Sequence, residues 1–370
     1  MDFARALLAA LVFVFAAGNV SAQQKRKPGS DDQGYVPTVA PDSKSKKKKD
    51  DQTQTLPPPP ELPVTVSAET NRLAFQVSPL SSRGLLSQQT RDALKTLLKN
   101  NHGTIVKLRA FVAGSGDLRR VGELVGETFT EKRQPLPVLS VVQVGALPQE
   151  GAQVVIESTE TDRRVVNPNG IAFLSGQPAA TVAESLGKLT SALAAAGMQP
   201  SDALSVTCFV SSLDAQRDIQ PAMAATFPGA ALNYVQMRRE PVTPVATCEA
   251  RARLPQPASS VDSHVALISD PQIVITGTQL AFGAQDGDLT LAFDRLEKAL
   301  AAKNTRLDRV VVSHLYVTSN GLAPRVLAAH AARFGHHPSG NTLLPVEALP
   351  SLDAPFGIDV IAVPDSSARR

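Results

Sequence analysis

The sequence predicts an α/β protein made of three tandem β-α-β-α-β-β units, each a mixed sheet with two helices on one face. Three observations carry this. A strand-like apolar segment returns about every 100 residues, the period expected of a repeated structural unit. Each return is followed by an amphipathic helical stripe. Each stripe is followed by a β-branched run and a second helical segment.

The first strands fall at residues 71–75, 169–173 and 271–275. The helices after them place Leu94, Leu97 and Leu98 on one face, then Val182, Leu186, Leu189 and Leu193, then Leu289, Phe293, Leu296 and Leu300. Spacings of three and four residues define a single buried stripe. The strands at 105–112, 204–210 and 310–317 come next. A second helix follows in each unit and ends in an apolar stretch holding Phe129, Phe227 or Phe334. Two strands close each unit: 138–144 and 153–157, then 232–237 and 245–252, then 342–346 and 357–363. An extra leading strand in each copy is compatible with the pattern. One-sided helices cover only one face of a sheet. Runs such as Val310, Val311 and Val312 predict that the other face is buried too.

Ahead of the repeats lie two segments of different character. Residues 1–22 read as an export signal: Arg5, an apolar run over 6–17, then Val20 and Ala22 at the small-residue positions before cleavage. The run is short for a spanning helix, although an uncleaved anchor is the alternative. Residues 23–62 are rich in Lys and Pro and predict a disordered linker, too polar to offset chain entropy. Within it, Lys46, Lys47, Lys48 and Lys49 either solvate a tether or contact an anionic surface. The domains are therefore 1–22, 23–62, units at 63–158, 159–256 and 257–364, and a tail at 365–370. The expected location is outside the cytoplasm, periplasmic or secreted. Formal charge is only +3, and no basic surface studded with aromatics marks a nucleic-acid site. Phosphate loops, nucleophile elbows and zinc spacings are absent. His330, His336 and His337 match no metal spacing. No cofactor is expected. The two cysteines, Cys208 and Cys248, are too few for a disulfide scaffold, although export permits a bridge.

The segment Ile171-Ala172-Phe173-Leu174-Ser175-Gly176-Gln177 resembles the strand end "hydrophobic-SGQ" of the Rid/YjgF superfamily, the reactive-intermediate deaminases once called L-PSP endoribonucleases. Ile275-Thr276-Gly277-Thr278-Gln279 is a variant of it. Lys107 to Phe129 is similar to the family's middle segment. Ala146-Leu147-Pro148 and Ala348-Leu349-Pro350 are similar to its strand-ending turn. The resemblance spans residues 64–364. It implies sheets that face inward, ligand clefts between neighbouring units, and three copies packed as an intramolecular pseudo-trimer, hence a monomer. It also places Cys208 and Cys248 on adjacent strands, where they either pair or remain two buried thiols.

The family's catalytic arginine, a carboxylate clamp, corresponds to Leu139, Leu232 and Asn341. Its helix asparagine corresponds to Gly122, Gln220 and Leu327. The acidic residue of the last strand persists as Glu157, Glu249 and Asp359, the catalytic candidates. Arg238 and Arg239 lie near one lost arginine and either replace it or face solvent. Ser175, Gln177, Thr278, Gln279 and Asn341 are the ligand-binding candidates. The expectation is a non-catalytic Rid-like protein that binds an unknown small molecule in inter-repeat clefts or acts as a scaffold. The alternatives are a divergent imine or enamine deaminase and a surface tether working through the basic linker.

Overall fold

The computed structural model describes residues 60–213, 218–239, 245–258, 265–334 and 340–365. These lie in the second of two units into which the chain divides, Pro57–Arg370. The expected signal segment, the lysine run 46–49, His336, His337 and the tail beyond Asp365 fall outside the described residues.

The first unit comprises β1 (Thr65–Glu69), β2 (Leu73–Val77), α1 (Leu86–Asn100), β3 (Gly103–Ala113), α2 (Leu118–Glu131), β4 (Val138–Val144) and β5 (Val154–Asp162). The second comprises β6 (Ile171–Ala179), α3 (Val182–Ala195), β7 (Ala203–Val210), α4 (Ile219–Thr226), β8 (Ala231–Gln236) and β9 (Ala246–Arg253). The third comprises β10 (Val265–Ile268), β11 (Gln272–Thr276), β12 (Gln279–Ala281), α5 (Asp286–Ala301), β13 (Val310–Val317), α6 (Ala323–Phe334), β14 (Gly340–Pro345) and β15 (Phe356–Ala362).

The helices form where an apolar stripe meets a usable cap. Thr181 caps α3 by accepting from the Glu184 amide, and Asp117 caps α2 by accepting from the Arg119 amide. Such caps satisfy amides that have no partner within the helix. Leu94 and Leu97 of α1, the four predicted positions of α3 and the four of α5 are all buried. Leu98 is half-buried at the rim of its core.

Three mixed sheets result, ordered β2-β5-β3-β4, β10-β6-β9-β7-β8 and β1-β11-β15-β13-β14, with β12 also pairing β15. In each, the two strands that flank a second helix are parallel, as a crossover requires. Each sheet packs its helices over a separate apolar core. Two further cores draw on all three sheets. β13 is buried at every position, so both sheet faces are covered, one by helices and the other by neighbouring sheets.

Two boundaries differ from the sequence reading. The leading strands do not join their own units, and there are two among the described residues. β1 pairs antiparallel with β11 of the third unit, with Glu69 opposite Gln272. β10 pairs with β6 of the second unit, with Ile268 opposite Ile171. In the second unit the equivalent chain, 163–167, forms no strand: the Val166 and Asn167 amides donate to the Asn71 carbonyl and the Asn167 side chain to the Leu73 carbonyl. β2 is therefore an edge strand, and β5 runs past residue 158 to pair with it as far as Thr161 opposite Leu73. The second difference is the end of the linker. Leu62 packs against the first unit's core, and a Cβ on Gly126 would come within 3.1 Å of the Pro60 carbonyl. An apolar side chain and a glycine gap together tie Pro60–Leu62 to α2.

Candidate functional site: an axial charge cluster and two inter-unit clefts

Strand alternation decides what each sheet shows its neighbours. At one level the register sets Arg109 opposite Glu157, Thr207 opposite Glu249 and His314 opposite Asp359. The three acidic candidates thus occupy equivalent places, but each has a different partner. Two residues further along, Phe111, Phe209 and Tyr316 form an aromatic layer. The Arg109 guanidinium carbon lies 5.1 Å and 5.6 Å from the centroids of the first two rings.

The acids reach across the sheet boundaries. Arg109 donates through Nε and Nη2 to Glu157 Oε2 at 2.9 and 2.7 Å, and through Nη2 to Glu249 Oε1 at 2.6 Å. Thr207 and Asn233 of the second unit each donate to Glu157 Oε1 at 2.7 Å. Arg251 donates to Glu249 Oε1 at 3.1 Å. Asp359 accepts from Ser140 of the first unit at 2.6 Å and from Tyr316 at 2.9 Å. His314 faces two acids, with Nδ1 2.9 Å from Asp359 and Nε2 3.5 Å from Glu249. Lys107 lies 3.2 Å from Asp359 and donates to Ser140 and to the Thr276 carbonyl.

Burial works against every charge here, and the ion pairs decide the outcome. Burial is the largest influence and raises the Glu157 and Glu249 pKa values, but Arg109 together with Arg251, with Asn233 and Thr207 at Glu157 and with His314 at Glu249, outweighs it and holds Glu249 well below the usual carboxylate range. Asp359 is likewise depressed against burial, by Lys107 and His314 and by hydrogen bonds from His314 and Ser140. For Lys107 burial prevails and lowers its pKa.

The clefts lie elsewhere. One, of about 330 Å³, runs between α2 and β4 of the first unit and residues 277–280 of the third; Gly122, Leu139, Thr278 and Gln279 line it. The other, of about 380 Å³, runs between the second unit and the end of β2; Gln220, Leu232, Asn233 and Tyr234 line it. The two positions that the sequence resemblance matches to a clamp arginine and a helix asparagine therefore sit in each cleft, as Leu139 with Gly122 and as Leu232 with Gln220. Thr278 Oγ1 is buried in the first cleft without a hydrogen-bond partner. None of the three carboxylates lines either cleft.

The third boundary is packed. The Gly176 amide donates to Thr342 Oγ1 at 2.8 Å, next to Asn341, and Gly340 lies close to Ser175. Gln177 turns back to the Ser175 carbonyl at 3.2 Å. Arg238 and Arg239 hold the third unit instead of completing a cleft. The Arg238 guanidinium donates to the Thr318 carbonyl and the Arg239 amide to Glu347. His330 shares a 2.8 Å hydrogen bond with Ser313, and no metal-binding cluster exists among the described residues. Cys208 and Cys248, opposite one another on β7 and β9, form a disulfide on the helix side of their sheet.

Sequence reasoning passed over Lys107, Arg109, Arg251 and His314. Their signal was available: charged residues at alternate positions of strands otherwise apolar on both faces, as in Lys107-Leu108-Arg109 and Glu249-Ala250-Arg251.

No family model matches the chain, and no curated protein matches it. Among solved structures, the chain is similar to a YjgF/YER057c/UK114 family member from Mycobacterium tuberculosis, with 25% identity over 26% of this chain and 81% of that one and a TM-score of 0.24. Yeast Mmf1 aligns at 20% identity over 29% and 90%, with a TM-score of 0.24. RidA from an Antarctic Psychrobacter aligns at 17% over 24% and 79%, with a TM-score of 0.23.

Proposed function

We propose that this is an exported, non-catalytic Rid-like protein whose two open inter-unit clefts bind small uncharged molecules. The observation that carries the reading is the occupant of the clamp position. Leu139 and Leu232 line the clefts where a guanidinium would have to grip a carboxylate. An ionised ligand would lose its hydration at the clamp position and meet only leucine there; Arg119, at the exposed rim of the first cleft, is already paired with Asp117. An apolar molecule with one polar group suits the first cleft, where the free Thr278 hydroxyl offers a single hydrogen bond. The acids that would position water in a deaminase are spent on ion pairs in the interior. Export rests on residues 1–22 and the basic linker on residues 23–62.

The test pairs two measurements on the full chain. A thermal-shift screen of small neutral and anionic compounds should return neutral binders; Leu139→Trp should remove those of the first cleft and Leu232→Trp those of the second. Hydrolysis of 2-iminopropanoate should proceed no faster than in buffer. Acceleration that Glu157→Ala, Glu249→Ala or Asp359→Ala abolishes, in protein that remains folded, would replace this reading with a divergent deaminase.

A further inference from the structure

Between the charged layer and one apolar layer on the axis lies a cavity of about 40 Å³. A water needs about 10–15 Å³ on this measure, so the space holds about three waters or one molecule of a few heavy atoms. One wall is apolar, built by Leu73, Phe75, Phe173 and Ile275; the other carries Lys107, Arg109, Arg251 and Ser205 together with the carboxylates of Glu157 and Asp359.

The groups left over on the polar wall are chiefly donors. Arg109 Nη1 and Ser205 Oγ are buried without hydrogen-bond partners. Ser205 pairs in register with Arg251 and shares the inward face of β7 with Thr207. Both oxygens of Glu157 and both of Asp359 are already engaged. Glu249 Oε2 has only His314 Nε2 near it, at 3.5 Å. Lys107, Arg109 and Arg251 balance the three carboxylates. Unspent donors facing an apolar wall call for a ligand with an acceptor end and a small apolar end. Phosphate is too large for the space, and chloride would leave the apolar wall unused.

We propose that the axial cavity binds a monocarboxylate of one or two carbons, its oxygens toward Ser205 and the two guanidiniums and its methyl against Phe75 and Phe173. Entry is over β2. That strand lacks the outer partner that β1 and β10 give the other two sheets, and Phe75, Gln76 and Val77 are only half-buried at the cavity rim.

Acetate is the probe, with formate, butyrate and chloride at matched ionic strength, read by calorimetric titration and thermal shift on the full chain. Acetate should titrate to one site and raise Tm above the chloride control. Formate should bind more weakly and butyrate not at all. Ser205→Val should weaken acetate about tenfold or more, the loss of one hydrogen bond to a charged group. If that variant does not fold, Phe75→Trp should exclude acetate by filling the rim. Acetate no better than chloride, butyrate equal to acetate, or unchanged binding in Ser205→Val or Phe75→Trp would overturn the assignment. So would loss of acetate binding on Leu139→Trp, which would place the anion in the cleft.

Discussion

Arg109 is the residue on which the interior charge depends most. It holds one acid from its own unit and one from the next, with its side chain 4% exposed. Arg109→Ala would leave Glu157 and Glu249 close together and short of a cation. Removing one partner of a buried ion pair costs about 3–5 kcal/mol. Urea denaturation should show a loss of that size, and a loss below about 1 kcal/mol would mean that water reaches the cluster. Two pH windows follow from the depressed pKa values. Burial pushes the His330 imidazole down to about 4, below its unfolded value of about 6.5. The unfolded chain takes up that proton first, so stability is full above about pH 6.5 and declines toward pH 4, by roughly 3 kcal/mol at most. His330→Gln should flatten that part of the curve. The three acids are depressed too, so their stabilisation is full above the unfolded carboxylate range near pH 4 and is lost only below it. Denaturation midpoints measured from pH 7 to pH 3 separate the two windows. At this scale the site was half legible. A carboxylate on a last strand can be counted from a motif. Its direction depends on which sheet covers that face, and this is settled by residues some 50 to 140 positions distant, as for Thr207 and Arg109.

The elements themselves were the most legible level, because a helical stripe or a β-branched run is a local property. β4 and β13 have the expected bounds and α3 and α5 bury the expected residues. The leading strands were not legible as partners. Only Thr70–Arg72 separates β1 from β2, a spacing that suits a hairpin as well as an exchange. What selects the exchange is the neighbouring sheet edge, which no local window contains. The disulfide links adjacent strands across a sequence separation of 40 residues. Closing a loop of that length in the unfolded chain is worth about 4 kcal/mol on the chain-entropy model. Reduction should therefore lower the urea midpoint markedly while leaving the folded spectrum intact. Thiol titration of denatured, unreduced protein should find no free thiol. Truncation should divide the linker in two: removing residues 23–56 leaves Tm nearly unchanged, whereas removing Pro60–Leu62 as well lowers it, because Leu62 belongs to the first core.

For the molecule as a whole, five apolar cores surround or cap a single charged layer, and hydrogen bonds run between all three pairs of units. A ring already complete within one chain leaves no equivalent face for a second copy. We expect a monomer by light scattering, and a stable trimer of full chains would refute that. The tripartite plan could be read from the repeated order of elements, whereas the way the ring closes could not. Closure falls to β1, whose partner β11 lies about 200 residues later in the chain. A strand that emerges first from the ribosome therefore waits for nearly the whole protein to follow. The helix-backed halves of all three units can form locally and quickly, but the third sheet cannot take its edge until the last unit exists. Ring closure is thus the final, slow event of folding, and β1 stays unpaired until it happens. In refolding experiments a single slow phase should disappear when β1 is deleted, leaving a protein that is less stable but faster to reach its final state.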